Sequence, residues 1–588
     1  MKLIWRYVRP YSRFILAVMV IKLVGTGTDL LLPYVLEHLL DHVIPAADNA
    51  WPVVAWGAVM LLLTLLTRIL NITANRMSVQ VAKNSTYQIR RDLFHTALNL
   101  SGRQMDRVGL PSLISRMTSD TYNVQGFVRM IQTMGIRAPI MLLGGIAITL
   151  TMDTGLAMIL CIMAPVMILL VCFVSWKGIP LYNEVQRRMD VLVRRMRESI
   201  TGIRVVRALS KESYEENRFG EANTRMARQE VKAGVIMSLP GPIVTLFLNI
   251  GLTLVVLVGA RQVNDGQTAP GVILAFLTYF NMILMGVMGL NRIFMMMSKA
   301  NASAVRIGEV IDLPEELTPL PADHLAAAPG EEALIFDHVT FNYDADSPEE
   351  KHGQFLGEER QQCLKDISFR VPKGGSLGII GATGSGKTTI VNLLMRFYDP
   401  QQGHVFVDGK DVRGYSRDDL HRKFGVVFQN DVIFADTVRE NITFGRPVTE
   451  DMLVSASKDA MAHGFIEACE DGYDHKAAIR GANFSGGQKQ RLLIARALAS
   501  RPEILILDDS SSALDYRTDA ELRRAIREHY SGATTVVIAQ RVSSIMSMDE
   551  IIVLHEGEMI GRGTHARLME TCPEYRDICR TQMSEEVG

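Results

Sequence analysis

SLGIIGATGSGKTTIVNLLMRF, residues 376–397, reads in three parts. SLGIIG is a short apolar run with the composition of a buried strand, and TIVNLLMRF carries a helical pattern. Between them GATGSGKT, residues 381–388, sets its glycines at the spacing of a phosphate-binding loop, and a strand before and a helix after supply the context that makes the match specific. In such a loop the backbone N–H groups of Gly381, Ala382, Thr383, Gly384, Ser385 and Gly386, continuing into Lys387, Thr388 and Thr389 at the helix start, cradle phosphates. Lys387 reaches the β- and γ-phosphates, and the Thr388 hydroxyl ligates Mg²⁺.

Further along lies ILILDDSSSALD, residues 504–515. Its apolar strand ends at Asp508, where a carboxylate can hold the hydration shell of Mg²⁺ opposite the loop. The next residue, Asp509, stands where many ATP-hydrolysing machines carry a glutamate that polarises the attacking water, and it is one methylene shorter. Strand-like runs such as ALIFDHVTF and GHVFVDG begin after a Pro-, Ala- and Glu-rich linker at 313–332, so a soluble α/β domain is expected over 333–588.

The first half has a different character. At 588 residues the chain is too long for one ordinary core. Its 62 Lys and Arg balance 63 Asp and Glu, which argues against a nucleic-acid partner. Apolar stretches long enough to cross a bilayer lie near 14–40, 52–72, 127–151, 155–176, 237–260 and 271–297, predicting an all-α transmembrane domain of six helices over 1–312. Lys2, Arg6, Arg9 and Arg13 precede the first span, and DHVIPAADNAW after it has no Lys or Arg, so the N-terminus is expected in the cytoplasm. The apolar stretch behind this basic start is too long for a signal peptide and has no cleavage site, so it is expected to remain as an anchor. The basic segments 76–137 and 177–232 are expected to project as long helical extensions rather than lie on the lipid surface. The six cysteines have no short paired spacing, in keeping with a reduced cytosolic face. Within or beside the spans, Lys22 is expected to snorkel to the interface, Asp29 is a candidate cavity residue, and Asn281, Asn291, Arg292 and a run of methionines mark the sixth span.

A second glycine motif, NFSGGQKQR (483–491), stands between the phosphate loop and the second acidic strand. The ordered set GATGSGKT, FQN around Gln429, FSGGQ, ILILDD and SALD, behind six spans, resembles an ABC exporter half-transporter over essentially the whole chain. The resemblance implies that Tyr343 stacks on adenine, that Gln429 senses Mg²⁺ and the γ-phosphate, and that Asp515 lies where two nucleotide domains meet. It further implies that Ser485, Gly486, Gly487 and Gln488 serve the ATP held by a partner's phosphate loop. Segments 109–121 and 197–209 look like the regions coupling nucleotide closure to the membrane helices.

Three departures from the family pattern stand out. The stretch 344–363 is long and acidic, Ile479 in AAIRG replaces a glutamate, and Gln540 in IAQRVSS stands where the family carries a histidine against the γ-phosphate. An amide can hydrogen-bond but cannot act as an imidazole. Asp509 and Gln540 therefore mark a catalytically degenerate site that still binds ATP and Mg²⁺ through Thr388, Gln429 and Asp508. The implied assembly is a heterodimer with a second, non-identical half-transporter in the cell (inner) membrane, both termini cytoplasmic. It would export small amphipathic compounds or membrane lipid by alternating access; a peptide exporter and an ATP-gated channel are the alternatives.

Overall fold

Asp153 marks one of the sharpest turns in the membrane half: its extended backbone stops one helix, and its carboxylate accepts from Leu156 N–H at 2.9 Å to start the next. Around it run α1 (Ser12–His38), α2 (Trp51–Asn99), α3 (Thr121–Met152), α4 (Thr154–Thr201), α5 (Glu212–Ser238), α6 (Pro240–Asn264) and α7 (Pro270–Ile311). The computed structural model describes residues 1–343, 363–510 and 513–585, so nearly all of the acidic insertion lies outside the described residues. With 49 residues at about 1.5 Å each, α2 is more than twice as long as the roughly 30 Å of a bilayer core. It is continuous helix from the apolar span into the basic segment, as is α4, which is the projection expected from sequence.

Among the described residues five helical stretches are long and apolar enough to cross a membrane: Lys2–Ala46, Trp51–Asn99, Leu110–Met152, Glu212–Asn264 and Pro270–Ile311. The apolar stretch Thr154–Leu170 opens α4. The chain divides into two compact units. One holds Met1–Leu98 and Val108–Leu313; the other takes Asn99–Arg107 together with the chain from Pro314 onward.

In the first unit α3 and α7 pack most closely. A Cβ on Gly286 of α7 would lie 2.9 Å from the Ala138 carbonyl oxygen of α3, so glycine is what lets the two backbones touch. Several charged groups in this unit are paired. Lys22 does not snorkel: it is buried, and its Nζ donates to Asn71 Oδ1 at 2.7 Å and Asn75 Oδ1 at 3.1 Å, two amides one turn apart on α2. Asp29 accepts from Arg137 at 3.0 Å. At the far end of α7 the buried Asp120 accepts from Ser303 and forms an ion pair with Arg306.

The second unit contains two sheets. β1 (Leu334–Phe341), β2 (Leu364–Val371), β4 (Gln402–Val407) and β5 (Lys410–Asp411) form an antiparallel sheet in the order β2-β1-β4-β5. β3 (Ser376–Gly381), β6 (Phe424–Val427), β7 (Ile504–Asp508), β8 (Thr534–Ile538), β9 (Glu550–His555) and β10 (Glu558–Gly563) form the other, ordered β10-β9-β3-β8-β7-β6. From β9 to β6 it is parallel. Every residue of β7 and β8 is buried, the continuous burial that a parallel sheet covered on both faces requires. Three helices matter for the site: α8 (Lys387–Leu394) after β3, α9 (Gly486–Leu498) before β7, and α10 (Tyr516–His529) after it.

Candidate nucleotide-binding site

Because β3, β7 and β8 run parallel, Gly381, Asp508 and Ile538 all end at one edge of the sheet, where α/β proteins bind ligands. β3 turns into α8 through a loop that only glycine can make. Gly384 and Gly386 have φ of +84° and +99°, and a Cβ on Gly381 would come within 2.2 Å of the Leu554 carbonyl oxygen. Lys387 folds back over this loop, donating to the carbonyl oxygens of Gly381 at 2.9 Å and Ala382 at 2.7 Å. Burial lowers its pKa, opposed by Asp508 and Asp509. The Ser385 hydroxyl is buried in the same loop and makes no hydrogen bond among the described residues.

A cavity of about 290 Å³ opens in front of the loop, lined by Tyr343, Thr383, Gly384, Gly386, Lys387, Thr388, Thr389, Gln429, Asp508, Asp509 and Gln540. Thr388 Oγ1 donates to Asp508 Oδ2 at 3.1 Å, so hydroxyl and carboxylate already converge. Burial raises the Asp508 carboxyl pKa, with Thr388 and Lys387 pulling the other way. A pre-shaped glycine loop, a buried hydroxyl with no partner, an ammonium over the loop and a hydroxyl–carboxylate pair fit a polyphosphate with Mg²⁺. Mg²⁺ would supply charge neutralisation at the phosphate oxygens, and Thr388, Asp508 and Gln429 are the residues that would hold it.

Tyr343 stands at the rim. Its hydroxyl donates to Thr389 Oγ1 at 3.2 Å and accepts from Asn392 Nδ2 at 3.0 Å, while Phe341 and Tyr398 pack against it edge-on. At the opposite side Asp509 has φ +50°, and its N–H donates to the Ile538 carbonyl oxygen at 2.8 Å. Its Oδ2 accepts from Gln540 Nε2 at 3.0 Å and from Gln429 Nε2 at 3.4 Å. Burial raises the Asp509 pKa from the ordinary aspartate value, with Gln429 foremost among the groups opposing.

Ser485, Gly486, Gly487 and Gln488 do not line this cavity. They open α9, where Ser485 and Gln488 form a reciprocal capping box. A Cβ on Gly487 would lie 3.1 Å from the Ala513 carbonyl oxygen, which sets this turn beside the strand-to-helix connection that follows Asp509. Asp515 is taken up locally as the cap of α10, accepting from Thr518 N–H at 2.9 Å and Thr518 Oγ1 at 2.8 Å. Ile479 is 76% exposed.

The unit holds one patch that the sequence motifs did not single out. Asn99–Arg107 belongs to it: Gly102 N–H donates to Phe397 O at 3.0 Å, Tyr398 donates to Asp106 at 2.7 Å, Gln104 Nε2 donates to Pro314 O at 2.8 Å, and Arg417 donates to Asn99 Oδ1 at 2.9 Å. This contact lies just upstream of 109–121. Its one sequence signal is Ser101-Gly-Arg-Gln104, whose side chains cap each other's backbone N–H at 3.1 Å.

Fold and site together describe an ATP-binding membrane transporter, and the comparisons agree. The ABC transporter transmembrane region family matches residues 15–288, and the ABC transporter family matches 364–512. An uncharacterized ABC transporter ATP-binding protein of Mycobacterium tuberculosis (strain CDC 1551 / Oshkosh) is 34% identical, covering 100% of this chain and 99% of its own length. An ATP-dependent lipid A-core flippase of Syntrophus aciditrophicus (strain SB) is 32% identical over 81% of this chain and 76% of its own. A bacterial Atm1-family ABC exporter solved with ATP bound superposes with a TM-score of 0.79 at 24% identity, covering 97% of this chain and 98% of that one. The chain belongs to the ABC transporter family. It is a multi-pass membrane protein whose fold is that of an ABC exporter half-transporter, and its ATPase domain binds ATP with Mg²⁺, as is general for the family.

Proposed function

We propose that this chain is the degenerate-site subunit of a heterodimeric ABC exporter that moves small amphipathic compounds or lipid out of the cytoplasm or inner leaflet, with both its termini in the cytoplasm. Its membrane domain spans 1–312 and its nucleotide domain 333–588. Its own site, built by the loop 381–388 with Tyr343, Thr389, Gln429 and Asp508, holds MgATP and cleaves it slowly. Ser485 to Gln488 complete the competent site of a non-identical partner.

The observation that carries this is the state of Asp509. Its Oδ2 is occupied by two amide donors, Gln540 and Gln429, and its N–H is tied to β8, so the backbone cannot advance the short side chain. Basicity is not what is missing, because burial raises its pKa. What is missing is reach, and an imidazole at position 540. The location of the signature turn supports a partner: Ser485 and Gln488 satisfy each other and contribute nothing to the cavity of their own chain. Export of lipid draws further support from the flippase relative.

The test follows nucleotide fate in the co-purified pair. After turnover with α-labelled, photoactivatable ATP, this chain should carry mainly triphosphate and the partner mainly diphosphate. Mainly diphosphate on this chain, or brisk hydrolysis by a verified homodimer of it, would overturn the proposal.

A further inference from the structure

A cavity of about 450 Å³ lies between α3 and α7, with Met134, Arg137, Met141, Met285, Met288 and Arg292 in its wall. Thioether side chains give a deformable apolar lining suited to acyl or aromatic groups of varied shape. Two guanidinium groups beside such a lining are the unusual feature, since cations within a membrane segment are costly and are kept where they meet a partner.

The two arginines are not equivalent. Arg137 is neutralised by Asp29 at 3.0 Å, and that same bond removes Asp29 as a free anchor for a cationic compound. Arg292 makes no ion pair or hydrogen bond among the described residues, and it is exposed. The pocket therefore carries one uncompensated positive charge. Its depth is equally telling. Taking the start of α7 at Pro270 as the outer membrane face, Arg292 is twenty-two residues in, about 33 Å at 1.5 Å per residue, against a hydrocarbon core of about 30 Å. Arg292 then stands at the inner-leaflet headgroup level, and Met285 and Met288 lie one to two turns further into the acyl region. The close approach of α7 to α3 at Gly286 fixes these side chains in one wall.

We propose that this pocket binds an amphiphile with a single anionic head, the head on Arg292 and the apolar body along the methionines, and that it discriminates against cationic amphiphiles. This rests on the export function proposed above in taking the pocket as part of the transport path. A membrane lipid and a free amphiphilic acid present the same chemistry, a phosphate or carboxylate on an apolar body.

Photolabelling separates them. The full-length chain, in phosphatidylcholine nanodiscs, is exposed to phosphatidylglycerol or phosphatidylcholine carrying a diazirine near the end of one acyl chain, and crosslinks are mapped by mass spectrometry. Phosphatidylglycerol should label peptides containing Met285, Met288 or Met141 about tenfold more than phosphatidylcholine, the factor expected of one charge-assisted contact. Arg292→Glu should abolish the preference and Arg292→Lys retain most of it, with MgATP binding by each variant confirming that it is folded. Protection by dodecyl phosphate without labelling by phosphatidylglycerol would assign the pocket to free amphiphilic acids rather than lipid. Equal labelling by the two lipids with no protection, or an unchanged preference in Arg292→Glu, would overturn the proposal. Labelling needs neither ATP nor a partner, so its failure leaves the nucleotide-site proposal intact, and the converse holds.

Discussion

Restoring the two altered side chains should restore cleavage. Asp509 leaves β7 with its N–H fixed to Ile538 O at 2.8 Å, so its carboxylate can be advanced only by lengthening the side chain. Asp509→Glu adds one C–C bond, about 1.5 Å, and a misplacement of about 1 Å in a positioned group costs ~100-fold in rate. Gln540→His replaces the amide that now donates to Asp509 Oδ2 at 3.0 Å with an imidazole, freeing a lone pair on the carboxylate and supplying a group able to carry charge. The double variant should therefore hydrolyse ATP at this chain's site roughly 100-fold faster, a barrier reduction of about 2.7 kcal/mol. Either single change should recover less. The assay is phosphate release by the heterodimer with the partner's catalytic carboxylate removed, so that all product comes from the site carrying Asp509. No gain in the double variant while MgATP still binds would refute the reasoning, as would a wild-type chain already turning over at the repaired rate.

Lys387→Ala should weaken MgATP binding about 10- to 100-fold, the worth of one or two charge-assisted hydrogen bonds, and reduce transport although the partner's site is untouched; equilibrium binding of a fluorescent ATP analogue reads it. Asp509→Ala should lower heterodimer turnover only modestly, and complete loss of turnover would identify Asp509 as a working base. Burial raises the Asp508 pKa, so protonation sets in at a higher pH than for an ordinary aspartate, and Mg²⁺-dependent ATP affinity should fall on acidification in that range. The same shift has the opposite sign for the nucleotide-free domain, whose contribution from Asp508 is present at low pH and lost as pH rises through the raised pKa; titrating Asp508→Asn beside wild type isolates both effects. Asp120→Asn should cost ~1–3 kcal/mol of stability by breaking the buried carboxylate's bonds to Ser303 and Arg306, seen as a lower Tm in detergent.

Legibility in the sequence followed the range of the interactions involved. The loop 381–388 could be read because its function resides in backbone geometry that glycine spacing dictates, and strand burial in ILIL because a covered parallel sheet leaves no polar alternation. Helix continuity through 76–99 and 177–201 followed from the scarcity of breakers, Gly178 and Pro180 standing alone. Partnerships between distant residues were not readable. Lys22 looked like a snorkelling interfacial lysine because Asn71 and Asn75, 49 and 53 residues away, carry no signal that they converge on it. Asp29 looked like a free cavity carboxylate because Arg137 is 108 residues distant. The seating of Asn99–Arg107 on Phe397 and Tyr398 was hidden for the same reason, apart from its capping box.

On the function proposed above, holding a nucleotide and cleaving it draw on different parts of this site, so that one can be lost without the other. The cradle is made of main chain: a strand end, two left-handed glycines, the first turn of α8, and an Asp508 buried at the close of β7. These are coupled to the fold itself, and damage to them would open the core of the nucleotide unit. In the function proposed above, cleavage depends on the last atoms of two side chains at the cavity wall, Asp509 and Gln540, which bond to each other, Asp509 also to Gln429 and to the backbone of Ile538. Shortening one and neutralising the other disturbs no strand. Selection on transport could thus relax the chemistry of this site while retaining an ATP that bridges two nucleotide domains, provided that the partner kept its own carboxylate and imidazole. On the function proposed above, a non-identical partner follows from Asp509 and Gln540, since two copies of this chain would place the same short carboxylate and the same amide in both sites.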